Sequence, residues 1–220
     1  MKITFWSDFN CPNSYIGLYR LKKAVDELNL EFKWEMKPFE LYPTLFDTPT
    51  GSIITQNVLK YGLAPDAAEE RIIETEKIAL KDGLEINYKD IRLTSSRNAH
   101  RLVKFIRNNY PKMLLQLVFK IYEANFKQNR IIADINVLAD ICVSLGLDEN
   151  EIRHMLESDS YDFEVEIDEE DAIVMGVEAI PLYILEISHE QLIIPGAFEK
   201  ESFKVAIEDL ISGDMESKLL

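Results

Sequence analysis

The sequence has little cysteine, little histidine, few bases against its acids, and no long apolar run. Its two cysteines, Cys11 and Cys142, are too few for a disulfide scaffold. They also lie in different settings, so a structural disulfide between them is not expected. The three histidines, His100, His154 and His189, show no Cys/His spacing of the zinc-binding kind, which predicts no metal. Apolar runs such as Ile180 to Ile187 are far too short to cross a bilayer. Lys and Arg number 24 against 39 Asp and Glu, a formal net charge of -15 that repels a phosphate backbone or an anionic membrane surface. Nucleic acid and membrane are therefore excluded as partners. The opening MKITFWSDFNCP has neither an apolar stretch nor a small-residue cleavage pattern, which predicts a cytoplasmic protein. Repeats and low-complexity tracts are absent.

What is there reads as a folded globule, with 47% hydrophobic and 29% charged residues over a length that can bury a full core. Ile3 and Phe5, followed by the turn formers Ser7 and Asp8, predict a short first strand. From Pro12 the apolar residues Tyr15, Leu18, Tyr19, Leu21, Val25 and Leu28 recur at helical spacing, and proline suits a helix's first turn. Glu31 to Phe39 alternates charged and apolar side chains, the period of a half-buried strand. An irregular connection rich in Pro, Thr, Gly and Ser follows. From about Ile53 to Leu156 only helical patterns occur, at Ala67 to Lys81, Ser95 to Asn108, Lys112 to Phe126, Asp134 to Leu145 and Glu149 to Leu156. Ser95, Asp134 and Asp148 mark starts, and Gly83 and Gly146 mark stops. The acidic run Asp162 to Asp171 predicts a helix from Phe163 to Met175 with a solvated face. A strand Pro181 to Ile187, a turn at His189-Glu190, a strand Gln191 to Ile194 and an amphipathic helix with Phe203, Ala206, Ile207 and Leu210 complete the chain. Residues beyond Gly213 are expected to fray.

The order β-α-β, helical block, β-β-α is an α/β thioredoxin fold with a large all-helical insertion. Residues 1–52 and 158–220 form the thioredoxin-like part, and residues 53–157 the insert.

Cys11-Pro12-Asn13-Ser14 follows the first strand and opens the first helix. A thiol at that corner faces unpaired N–H groups and the positive end of the helix dipole. Such sites lower a cysteine pKa to about 3.5–7.5, making the sulfur a nucleophile at neutral pH. The bland alternative is a small core residue; the strand-to-helix corner favours the reactive reading. Gly176 to Ile180 ends a helix and Pro181 opens a strand, where a residue without an N–H is tolerated. Either isomer of Ile180-Pro181 fits this pattern. A cis bond would turn the Ile180 backbone toward an extended ligand.

The segments WSDFNCPNSYIG, KPFELYP, NAHRL, Gly176 to Pro181 and PGAFEKESF span nearly the whole chain and resemble the DsbA-like family, especially its FrnE-like branch. The resemblance implies a thioredoxin fold with a helical insert, Cys11 as nucleophile, and Pro181 as a cis-proline facing it. Where the family has the second cysteine of Cys-x-x-Cys, this chain has Ser14. A hydroxyl cannot displace a mixed disulfide, so an external thiol must release the product, with glutathione the expected co-substrate and no tightly bound cofactor. The related 2-hydroxychromene-2-carboxylate isomerases and kappa-class glutathione transferases carry Ser-Pro-x-x motifs at the same corner, where Cys11 aligns with their active serine. Gly196-Ala197-Phe198 lacks the Ser-Asp pair those proteins use after the glycine.

The expected function is thus thiol–disulfide chemistry through one cysteine, on a protein or small-molecule thiol or disulfide. A glutathione-linked isomerase or transferase, and a non-catalytic peptide-binding module, stand as alternatives. Cys11, Ser14 and Pro181 are the expected catalytic positions; Phe9, Pro12, Asn13, Ile180 and His100 are the expected substrate contacts. Trp6, Tyr15 and Tyr42 are further candidates for a cleft lining, and Cys142 reads as core packing on its helix. A homodimer is left open.

Overall fold

A strand buried along nearly its whole length needs a neighbour on each edge, and β1 (Lys2–Ser7) is such a strand. A computed structural model describes residues 1–49 and 51–213, so the tail read as frayed lies outside the described residues. The sheet order is β2-β1-β3-β4. β2 (Lys33–Pro38) runs parallel to β1, placing Ile3 opposite Trp34 and Phe5 opposite Met36. β3 (Leu182–Ile187) runs antiparallel on the other edge, with Phe5 opposite Tyr183. A tight turn at Ser188 and His189 leads into β4 (Glu190–Pro195), with Ser188 at φ 57°.

The period of two sorts the strand residues into two cores. Ile3, Phe5, Met36, Tyr183 and Leu185 share one continuous buried cluster with Leu18 and Leu21 of α1 (Pro12–Glu27) and Phe203 of α9 (Lys200–Ser212). Trp6 and Ile184 belong to a smaller cluster with Ala172 of α8 (Asp162–Val174) and Val177. α1 and α9 also pack against each other.

Between β2 and α8 come α2 (Ile53–Tyr61), α3 (Pro65–Lys81), α4 (Arg97–Asn109), α5 (Leu114–Tyr122), α6 (Ile135–Ser144) and α7 (Glu149–Glu157). The larger core runs on into them through Ile72, Leu102, Leu117, Phe126 and Leu138. The thioredoxin fold and its helical insertion are therefore as the sequence indicates. Three details differ. The sequence pattern did not single out α2, although Ser52 caps it through the Thr55 N–H and Gly62 ends it in the left-handed region. The segment expected as one helix from Lys112 to Phe126 is a 3-10 turn (Pro111–Met113), α5, and a π-helical turn (Glu123–Lys127). The acidic run is not simply a solvated face. Asp168 is buried and pairs with Lys104 and Lys37, while Asp162, Glu166 and Glu169 all meet Arg97. Those ion pairs tie α8 to α4 and β2, because burying a carboxylate requires a cation or donor beside it.

Candidate functional site

β1 ends at Ser7, and the residues Asp8, Phe9 and Asn10 carry the chain round to Cys11, the N-cap of α1. Cys11 is extended (φ -99°, ψ 111°), and Pro12 takes the first helical position, where its missing N–H leaves nothing unpaired. The Cys11 N–H donates to the Asp8 carbonyl at 3.1 Å. Its own carbonyl accepts from the Ser14 and Tyr15 N–H groups at 3.1 and 3.3 Å.

The insert grips this corner from beneath. Thr94 O accepts from Asn10 Nδ2 (2.9 Å), Asn125 Nδ2 donates to Phe9 O (2.8 Å), and the Tyr122 hydroxyl reaches both Asp8 O (3.2 Å) and Ser7 Oγ (2.6 Å). The Asp8 carboxylate accepts from the Leu41 N–H at 2.7 Å and meets His100 Nε2 at 3.2 Å. Sequence reasoning singled out none of Asp8, Thr94, Tyr122 and Asn125 as site residues.

The Ile180-Pro181 peptide bond is cis, settling the isomer in favour of the one the family resemblance implied. Cys11 Sγ lies 3.9 Å from the Ile180 carbonyl oxygen. The Pro181 carbonyl is taken by the Gly196 N–H at 2.7 Å, which anchors the turn to the end of β4. Cys11, Ser14 and the Ile180-Pro181 turn are therefore brought together. Asn13 is exposed and Ile180 half-buried at this surface, and Pro12 is buried beside them. Phe9 and His100 lie wholly buried beneath it, their rings 5.2 Å apart, so they support the surface rather than form it. Trp6 is core, as is Tyr15, stacked on Tyr122 at 4.9 Å. Tyr42 is half-buried under the Lys60 amine (4.6 Å to the ring centroid). Both groups stand within electrostatic reach of Cys11.

The ionisation of Cys11 departs from expectation. Only 5% of the residue is exposed, and burial pushes its thiol up. The Ser14 hydroxyl and the N–H groups of Ser14 and Asn13 pull it down, and the Asp8 carboxylate pushes it further up; the net direction is upward. The resting sulfur is thus a thiol: desolvation outweighs the helix terminus. Ser14 Oγ is itself buried with no hydrogen-bond partner of ordinary geometry. Cys142, on α6, is fully buried among apolar residues, and burial alone pushes its pKa up to about 12. Neither cysteine is in a disulfide.

Glu40, just past β2, completes the charged surroundings. Burial pushes its carboxyl up to about 7; His100 opposes this, and Glu169 adds to it. Arg97 Nη1 is 3.5 Å from Glu40, but the guanidinium is shared with Asp162, Glu166 and Glu169. Among the described residues no cluster of three His, Cys, Asp or Glu could hold a metal ion, and no helix is long and apolar enough to cross a membrane.

The model of the DSBA-like thioredoxin domain matches residues 2–208. Among solved structures, a probable DsbA oxidoreductase from Streptomyces coelicolor superposes with a TM-score of 0.85 at 26% identity, over 100% of this chain and 94% of that one. A 2-hydroxychromene-2-carboxylate isomerase superposes at 0.68 with 16% identity, over 99% of this chain and 100% of the other. The cytosolic disulfide reductase DsbM from Pseudomonas aeruginosa, solved with glutathione, superposes at 0.67 with 14% identity, over 96% and 100%. The last two likenesses are of fold.

Proposed function

The chain belongs to the DsbA-like thioredoxin domain family, and from that premise we propose that it is a cytoplasmic monothiol oxidoreductase working through Cys11. The observation that carries this reading is the placement of the Cys11 sulfur at the start of α1, 3.9 Å from the Ile180 carbonyl at the cis turn. The Cys11 thiolate attacks one sulfur of a disulfide, forming a mixed disulfide and expelling the other sulfur as a thiolate. A second thiol, for which glutathione is the natural candidate, attacks the mixed disulfide. That step returns Cys11 as thiolate and leaves the former substrate sulfur bonded to glutathione. Ser14 supplies no second sulfur, so the cycle closes only through this outside thiol.

Burial sets the condition for reaction. Because the resting thiol is protonated and covered, docking must expose it or remove its proton. Pro12, Asn13 and the Ile180 backbone are the proposed substrate contacts, with Phe9 and His100 supporting them from below. The Ile180 N–H has no main-chain partner among the described residues, which leaves it available to an extended peptide or to the cysteinyl amide of glutathione. A compartment that keeps thiols reduced accords with two unpaired cysteines.

The test is reaction with oxidised glutathione, followed by intact mass. Cys11 is expected to gain one glutathione and Cys142 none, at a rate rising about tenfold per pH unit between about pH 7 and 9, as a raised thiol pKa requires. Equal, slow modification of both cysteines would overturn the proposal. Ser14 and the isomerase-like fold favour a second reading, a glutathione-linked isomerase. Tight binding of reduced glutathione with no mixed disulfide would select that reading instead. Retention of a bound peptide partner by Cys11→Ala would point to a non-catalytic binding module.

A further inference from the structure

Asp8 and His100 face each other 3.2 Å apart with both side chains excluded from water. A buried carboxylate survives only when its oxygens are satisfied, and each contact on Asp8 comes from a different element. Its Oδ2 takes the Leu41 N–H beyond β2, its Oδ1 meets His100 on α4, and its carbonyl takes the Cys11 N–H together with the Tyr122 hydroxyl of α5. His100 is held in turn by its ring contact with Phe9 and by its main-chain N–H to Ser96 O at 3.0 Å. Its Nδ1 is buried and unpartnered. The ring's one polar contact in the cluster is therefore Nε2 to Asp8. The Asp8 carboxylate stands three residues before the sulfur and acts on it as a negative charge.

We propose that Asp8 and His100 act as paired positioning residues for Cys11, fixing the loop that presents the sulfur and holding one negative charge behind it. The inference rests on Cys11 being the reacting group. The charge opposes a second negative charge on sulfur, in keeping with the upward push that Asp8 exerts on the Cys11 thiol. His100 acts only through Asp8, by fixing that carboxylate with the contact from Nε2. The titratable groups that feel Asp8 or His100 are Glu40 beyond β2, Tyr42, Lys60 on α2, Tyr122 on α5 and Cys11 itself.

A double-mutant cycle read by the alkylation rate of Cys11 against pH tests this. Asp8→Asn keeps the acceptor for Leu41 and removes the charge, and should speed alkylation at neutral pH about threefold to tenfold. His100→Leu strips the Nε2 contact, frees one side of the Asp8 carboxylate, and should give a smaller gain. The double variant should match Asp8→Asn alone, and His100→Gln, which keeps a donor, should restore the original profile. An unchanged profile in Asp8→Asn, or a His100→Leu effect that persists in the Asp8→Asn background, would overturn the pairing. Cys142 labels only when the fold opens, so each variant reports its own integrity. If a variant opens, NMR titration of the unmutated protein decides. The His100 ring signals should show an inflection at the Cys11 ionisation that vanishes in Cys11→Ala, and its absence would end the proposal. Failure of the monothiol reading looks different: Cys11 would then be unreactive in every variant.

Discussion

Ser14 Oγ lies buried beside the Cys11 thiol it helps to stabilise as an anion, and has no hydrogen-bond partner of ordinary geometry. The two side chains occupy the positions that a redox pair would need, one turn apart at the start of α1. Ser14→Cys should therefore create an intramolecular disulfide between positions 11 and 14, seen as a two-proton mass loss after mild oxidation. The variant should reduce insulin with dithiothreitol at least about tenfold faster than the unmodified protein, because an internal thiol now resolves the mixed disulfide. Recovery of only the glutathione adduct at Cys11 would show that the two sulfurs do not meet.

Glu40 makes stability depend on pH in a direction opposite to that of a salt-bridged acid. Its folded value of about 7 lies above the ordinary 4.5, because burial and Glu169 outweigh Arg97 and His100. Between those values the unfolded chain releases the proton while the folded chain keeps it. Stability is then lost as pH rises through the window and levels off above it, by on the order of 3 kcal/mol in all. In Glu40→Gln this contribution should vanish. Urea unfolding at pH 5 and pH 8 checks it: the variant should lose less stability than the parent over that interval, and parallel losses would refute the assignment.

Gly17 is needed for closeness rather than for an unusual dihedral. A Cβ there would stand 2.5 Å from Tyr183 Oη and 3.1 Å from the Ala197 Cα. Tyr183 is fully buried in β3, and the Ala197 contact is backbone. Alanine gains up to about 1 kcal/mol of helix propensity, but overpacking a fixed contact costs about 1–3 kcal/mol. Gly17→Ala should lower stability by about 1–2 kcal/mol in urea unfolding, and an unchanged or raised midpoint would show that α1 can shift away from the sheet.

Much of the fold and one edge of the site were legible in the sequence, for a shared physical reason: their signals are local. The strand-to-helix corner at Cys11-Pro12 and the break at Gly176 to Pro181 are each written within a few residues. The contacts that hold the corner are not. Asn10 with Thr94, Asp8 with His100, and Phe9 with Asn125 join positions far apart in the chain, and no spacing rule reaches across a helical insert. The same gap explains the thiol. The helix terminus is visible at Cys11, but its burial is not, since the Ile180 carbonyl beside its sulfur comes from beyond the insert. The acidic run misled similarly, since the cations that draw Asp168 and Glu169 inward lie on β2 and α4. At α2 the caps Ser52 and Gly62 were present and readable, and a search for capping pairs finds that helix.

The placement of β1 has a consequence for biogenesis. Of the four strands β1 precedes the others and has partners on both edges, and the second of these, β3, follows only after the helical insert. On the ribosome Ile3 and Phe5 can meet Trp34 and Met36 early, yet their other edge stays open until Tyr183 and Leu185 emerge. The nascent chain must carry a half-finished sheet through the synthesis of the entire helical insert, a high-contact-order route that exposes an aggregation-prone edge and gives chaperones a defined interval in which to act.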